Sequence, residues 1–147
     1  MNVFKRAVLA ISFVALLGAS PAASKPAASA KEVMSRFESA INARDKAGVD
    51  ALVYWGTADA WSRDMTEAAL GMFEAETITS ARLAPLDSSS KVTFKAPSGV
   101  KYGPSIAPVY RMVLQYKHGP GVKVDEGSLT IGTKNGAWYV VAIAVVK

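Results

Sequence analysis

His118 is the one histidine among the 147 residues, and the chain has no cysteine. These two counts exclude a multi-histidine metal site, a thiolate metal site, a cysteine nucleophile and a disulfide scaffold. Carboxylates are the metal ligands that remain, and they are spread along the sequence, so neither a metal nor a cofactor is expected. Imidazole is the side chain that titrates near neutrality by default, but Lys117-His118-Gly119-Pro120 reads as a solvated turn. Asp125 and Glu126 are adjacent carboxylates. On a strand they point to opposite faces and cannot share a proton. Asp59, Asp64 and Glu67 fall on one helix with Arg63 beside them, which reads as a solvated helical face. There is no Gly-x-Ser-x-Gly elbow and no glycine-rich phosphate loop leading into a helix. No catalytic residue is assigned on this evidence; Glu126 comes nearest to being one.

The aromatic residues carry more information. Tyr54, Trp55, Trp61, Tyr110 and Tyr116, with Met112 among them, bring polar handles into an apolar wall. They are expected to line either a filled core or a pocket for a small apolar ligand.

The elements that must position them follow from periodicity. Val33, Phe37 and Ile41 recur at helical spacing and predict a first helix over about 30–46, ending near Gly48. Asp50 opens a short second helix that runs to Trp55. Thr57 or Asp59 caps a third, over about 59–74, with Trp61, Met65, Ala68, Ala69, Met72 and Phe73 as its apolar stripe. From Glu76 the pattern alternates. Strands are predicted over about 76–84, 91–97, 106–117, 123–133 and 137–146, with Asn135-Gly136 as a tight hairpin turn. On the third of these, Ile106, Pro108, Tyr110, Met112, Leu114 and Tyr116 share one face. The last strand is apolar on both faces, so both need cover. Helices first and antiparallel strands afterwards make an α+β domain.

Residues 1–24 read as a signal peptide: a basic head with Lys5 and Arg6, an apolar run from Ala7 to Leu17, and small residues from Gly18 to Ser24. The run is shorter than the roughly 20 residues of a membrane span. An exported protein is therefore expected, periplasmic or secreted, with no stable membrane anchor once the signal is cleaved. Residues 25–30 read as a disordered lead-in and 31–147 as a single domain. The whole chain has 17 Lys and Arg against 12 Asp and Glu; without Lys5 and Arg6 the excess falls from +5 to +3. The basic residues of the second half, Arg111 among them, are scattered singly along the strands. They read as solubilising charges, and no nucleic-acid partner is expected.

Phe37-Glu-Ser-Ala-Ile-Asn-Ala-Arg-Asp45, then Val49-Asp-Ala-Leu-Val-Tyr54, and finally Gly136-Ala-Trp-Tyr-Val-Val141 together resemble the nuclear transport factor 2-like superfamily. The resemblance covers about 31–147. It implies N-terminal helices packed on a strongly curved antiparallel sheet, the nuclear transport factor 2-like or cystatin-like cone. Enzymes of that superfamily place an acid inside the cone, whereas here Trp55-Gly-Thr-Ala58 stands where many relatives carry an acidic pair. The expected function is an exported, non-catalytic binding or accessory domain with an apolar or aromatic pocket or a closed core. The alternatives are a small metal-free isomerase, dehydratase or hydrolase, and a structural interaction domain of the cell envelope. The two-faced apolar last strand, and the family's habit of pairing by its sheets, lead to an expected homodimer through the sheet.

Overall fold

The computed structural model describes residues 25–147 except residue 92. The proposed signal segment lies outside the described residues. Among the described residues three helices come first, α1 (Ala30–Asn42), α2 (Lys46–Ala51) and α3 (Ala60–Glu74), with a two-residue strand β1 (Val53–Tyr54) between the last two. Seven strands follow: β2 (Thr77–Ala84), β3 (Phe94–Lys95), β4 (Lys101–Pro104), β5 (Pro108–Lys117), β6 (Val124–Lys134), β7 (Ala137–Val141) and β8 (Ile143–Val145). The α+β class holds. The expected single antiparallel sheet does not. One sheet has five strands in the order β1-β7-β6-β5-β2, with β1 parallel to β7; a second has three, β3-β4-β8. Neither sheet is strongly curled, against the expected strong curvature, and the strand expected over 137–146 breaks at Ala142.

Local sequence explains the helix ends. Ser29 caps α1 by accepting the Glu32 N–H at 3.1 Å, and Glu32 reaches back to the Ala28 N–H at 2.6 Å, a reciprocal arrangement that satisfies two orphan donors. Asp45 caps α2 through the Gly48 N–H, so this helix begins at Lys46, four residues before the expected start at Asp50. Arg44 sits at φ 59°, and its guanidinium collects carbonyl oxygens of Ile41, Glu74, Ala75 and Glu76. It therefore ties the last turn of α1 to the last turn of α3, answering carbonyls that both helix ends leave unpaired. The Asn42 amide grips both backbone groups of Ile78, fixing α1 to the start of β2.

The core lies between α1 and the five-stranded sheet. Val33, Phe37 and Ile41 meet Met112, Leu114, Ile131 and Val140, all at most 1 % exposed. Residues 25–30 are a correction to the sequence reading. Ala27 is buried and pairs with Trp138, whose N–H it accepts at 2.9 Å, so this stretch belongs to the fold. Asn135 and Gly136 both take positive φ, as the tight hairpin between β6 and β7 requires.

Two faces differ from expectation. In α3 the buried residues are Ser62, Thr66, Leu70 and Phe73, whereas Trp61 is 40 %, Met65 43 % and Met72 67 % exposed. The helix is turned so that its hydroxyls face inward, and the reason lies at Ala142. Where the chain crosses from β7 to β8 it leaves the ladder of one sheet before gaining that of the other. The Ala142 N–H is taken by Ser105 Oγ at 3.1 Å and the Ile143 N–H by Thr66 Oγ1 at 3.0 Å. An unpaired interior amide costs about 1–3 kcal/mol. Thr66→Val, which keeps the shape and removes the hydroxyl, is expected to cost about 1–3 kcal/mol for the same reason. It should also accelerate amide exchange at Ile143. A denaturant midpoint and an Ile143 exchange rate equal to wild type would contradict this.

In β5 a register shift between Pro108 and Tyr110 leaves Val109 as an extra residue. Beyond this bulge Met112 and Leu114 are fully buried, but Tyr110 is 40 % exposed and stacks on Trp138 at 6.0 Å. Trp61 and Tyr110, expected to line a core or a pocket, are thus each 40 % exposed.

Candidate functional site

The most chemically distinctive opening lies where the two sheets part. β6 pairs with β7 only over Ile131–Lys134, so Val124–Thr130 have β5 as their sole described strand partner. β7 meanwhile turns off at Ala142 into β8, which pairs with β4. Between the bare edge of β6 and the departing chain a cleft of about 240 Å³ remains. Its apolar side is Ala69 and Leu70 of α3 with Leu129 and Val140; its polar side is Ser90, Arg111, Ser128 and Thr130. A second hollow of about 160 Å³ shares Ser90, Thr130, Val141 and Ile143 with it and extends toward Phe94. Alternate residues along a strand turn their N–H and C=O away from the paired neighbour. The β6 edge thus adds backbone donors and acceptors to the opening.

Arg111 is held by a polar loop. Asp87 Oδ1 accepts the Ser89 and Ser90 N–H groups at 3.1 and 3.2 Å and their hydroxyls at 2.6 and 2.9 Å. Asp87 Oδ2 pairs with Arg111 Nη1. These hydroxyls first, and the guanidinium after them, hold the Asp87 carboxyl down at about 2. Arg111 Nε is buried and has no hydrogen-bond partner among the described residues.

The low value of Asp87 predicts acid sensitivity. A carboxylate whose folded value lies below its ordinary 3.8 stabilises the fold fully above about pH 4, and that contribution is lost as the pH falls toward 2. Asp59 and Glu32 are also lowered, by the Ser62 N–H and the Ala28 N–H respectively, and share this direction. Asp87→Asn should therefore flatten, without abolishing, the fall in denaturant midpoint between pH 4 and pH 2. Identical slopes for variant and wild type would show that Asp87 is not so held.

The residues singled out from the sequence do not gather at one place. Tyr54 is half-buried, tilted against Tyr139 at 5.3 Å, and its carbonyl accepts the Ser105 hydroxyl. Trp55 packs on the core edge with the Arg63 guanidinium 4.8 Å above its ring. Trp61 lies outside, with Tyr102 at 4.5 Å and Phe94 at 5.9 Å. Met112 is wholly core, and Tyr116 stands edge-on to Phe73 at 5.4 Å. Glu126 is exposed and faces Arg82 at 3.5 Å. His118 pairs with the buried Glu76 at the far hairpin.

Two features were missed. Tyr102, 4 % exposed, donates to Asp59 Oδ2 at 2.9 Å, and burial first, then that carboxylate, raises its phenol above the ordinary value. Arg111 was read as a surface charge; the signal that could have found it is Asp87-Ser-Ser-Ser90, a sequence suited to a side-chain-bonded turn. A larger groove of about 450 Å³ runs beside α1 and α2, but Arg36 there is spent on Glu32 and the Lys25 carbonyl, and Asp45 on its helix cap.

Comparison with protein-family models, with characterised proteins and with solved structures finds no match to this chain.

Proposed function

We propose that this chain is an exported, non-catalytic binding domain of the nuclear transport factor 2-like kind, and that the cleft between the parted sheets is where it binds. The observation that carries the reading is the cleft's composition. Arginine, hydroxyls and aliphatic side chains supply recognition, and no carboxylate or imidazole is among the described side chains that line it. Helices ahead of the sheet, covering one of its faces, support the superfamily assignment. The enzyme alternative would need Glu126 inside; an exposed ion pair with Arg82 is poor support for it. Export rests on the pattern of residues 1–24. Intact mass of protein from an exporting host should lack Met1–Ser20; full-length mass would refute export.

The test of the binding reading is an amide chemical-shift survey with small aliphatic and aromatic probes. Shifts should gather at Thr66–Leu70, Ser128–Thr130 and Val141–Ile143. Shifts confined to Trp61 and Phe94, or to the groove beside α1, would overturn it.

The interaction-domain reading draws on the exposed row Trp61, Met65 and Met72. A homodimer through the sheet has less support, since Val113 is 2 % exposed and Tyr54 packs against Tyr139. Val109 and Tyr110 remain exposed for it. Sedimentation at micromolar concentration, with Tyr110→Lys as control, decides: a monomer unchanged by the substitution rules it out.

A further inference from the structure

We infer that the ligand of the cleft is an apolar molecule ending in a carboxylate, and that Arg111 is the residue that recognises that end; the inference rests on the binding reading above.

A guanidinium presents its donors along distinct edges. Asp87 occupies Nη1. Nε lies on the opposite edge, beside Nη2, and is buried without a partner among the described residues. That edge carries two parallel N–H bonds and matches the two oxygens of a carboxylate, the strongest pairing an arginine makes. A buried donor left unpaired is a cost that the folded protein carries. An acceptor arriving in the cleft removes it once the Nε edge, now closed to solvent, turns to the opening, and a charged acceptor removes it best.

The Nη1 end of the guanidinium is fixed in advance. Four hydrogen bonds from Ser89 and Ser90 hold Asp87, and Asp87 holds Arg111. Rigid presentation of this kind lowers the ordering cost of binding. Because Asp87 stays ionised down to about pH 2, it balances the arginine's charge at every ordinary pH. The site is then specific for the shape and hydrogen bonding of a carboxylate more than for negative charge in general. Away from Arg111 the wall is aliphatic, Leu70, Leu129 and Val140, of which Leu70 and Val140 are core residues, so the rest of the ligand is apolar. A cleft of about 240 Å³ with its 160 Å³ extension takes a short acyl or arylalkyl chain.

The test uses octanoate and 3-phenylpropanoate, with octanol and 3-phenylpropanol as their neutral counterparts, titrated into the mature protein. The readouts are the amides of Ser128–Thr130 and the Arg111 Nε–H resonance, which nitrogen–proton correlation spectra observe directly. At least one acid should bind tenfold or more tightly than its alcohol and shift the Arg111 Nε–H. Arg111→Lys, which keeps the charge and loses the two-donor edge, should abolish that preference. If acids and alcohols shift the same cleft amides with equal affinity, carboxylate recognition is wrong and the binding reading stands. If neither kind of probe moves any cleft amide, both are wrong. Should Arg111→Lys not fold, the wild-type Nε–H signal alone decides, since a bound carboxylate must move it.

Discussion

Phe37→Ala should lower stability by about 3–5 kcal/mol, the usual cost of truncating a fully buried aromatic ring. Phe37 is 0 % exposed and stands edge-on to Phe73, with ring centroids 6.2 Å apart. Phe73 in turn stands edge-on to Tyr116. This chain of rings joins α1, the end of α3 and β5, so its first member anchors the two long helices and the sheet together. Edge-to-face pairs add about 0.5–1.5 kcal/mol beyond area burial, which places the expectation toward the upper end. Domains of this size hold only about 5–15 kcal/mol in all, so the variant should be marginally folded. Trp61→Ala, at a residue 40 % exposed, is the control and should cost clearly less. Equal losses for the two substitutions would mean that the helix faces are wrongly described.

The second large effect is expected at Gly132. A Cβ there would lie 2.5 Å from the Ala107 carbonyl oxygen and 3.2 Å from Ile106 Cδ1. The first obstacle is backbone and cannot swing aside. The segment 105–107 is fixed in turn, because Ser105 bonds Tyr54 and Ala142. Gly132→Ala should therefore cost about 3 kcal/mol, the top of the usual range for overpacking a tight site. It should also disturb the bulge at Val109, since Pro108 pairs with Gly132. Gly71→Ala is the counterpart: nothing lies within 4 Å, the residue is inside α3, and removing backbone freedom there should stabilise by about 0.5–1 kcal/mol. Opposite signs for the two substitutions, read from denaturant midpoints, are the expected result.

What could be read from the sequence was local. Asp59, one of the two caps read for α3, and Asn135-Gly136 are a cap and a turn whose chemistry is complete within four residues, and both stand where they were read. The burial of Val33, Phe37 and Ile41 likewise follows from spacing alone. What could not be read depends on partners far along the chain. β1 is two residues long and parallel, and only β7, more than eighty residues later, makes it a strand. The division at Ala142 needs Ser105 and Thr66 to receive two amides, and no local pattern announces that. The face of α3 then follows from Thr66 and defeats its own apolar periodicity. Arg111 looks like any strand cation until the loop of Asp87 folds over it. The site was hidden because a long-range break creates it; the aromatic residues that drew attention are distributed over the core, its edge and the outer surface.

The cleft as the working part of the molecule is tested most directly by filling it. Ala69 is half-buried on α3 and lines the opening. Its replacement by Phe places a ring in the space without removing any hydrogen bond described above. Titrated with octanoate under the same conditions as wild type, Ala69→Phe should keep a folded amide spectrum and show no shifts at Ser128–Thr130 or at the Arg111 Nε–H. Octanoate shifts of wild-type size at those groups in the filled variant would contradict the account.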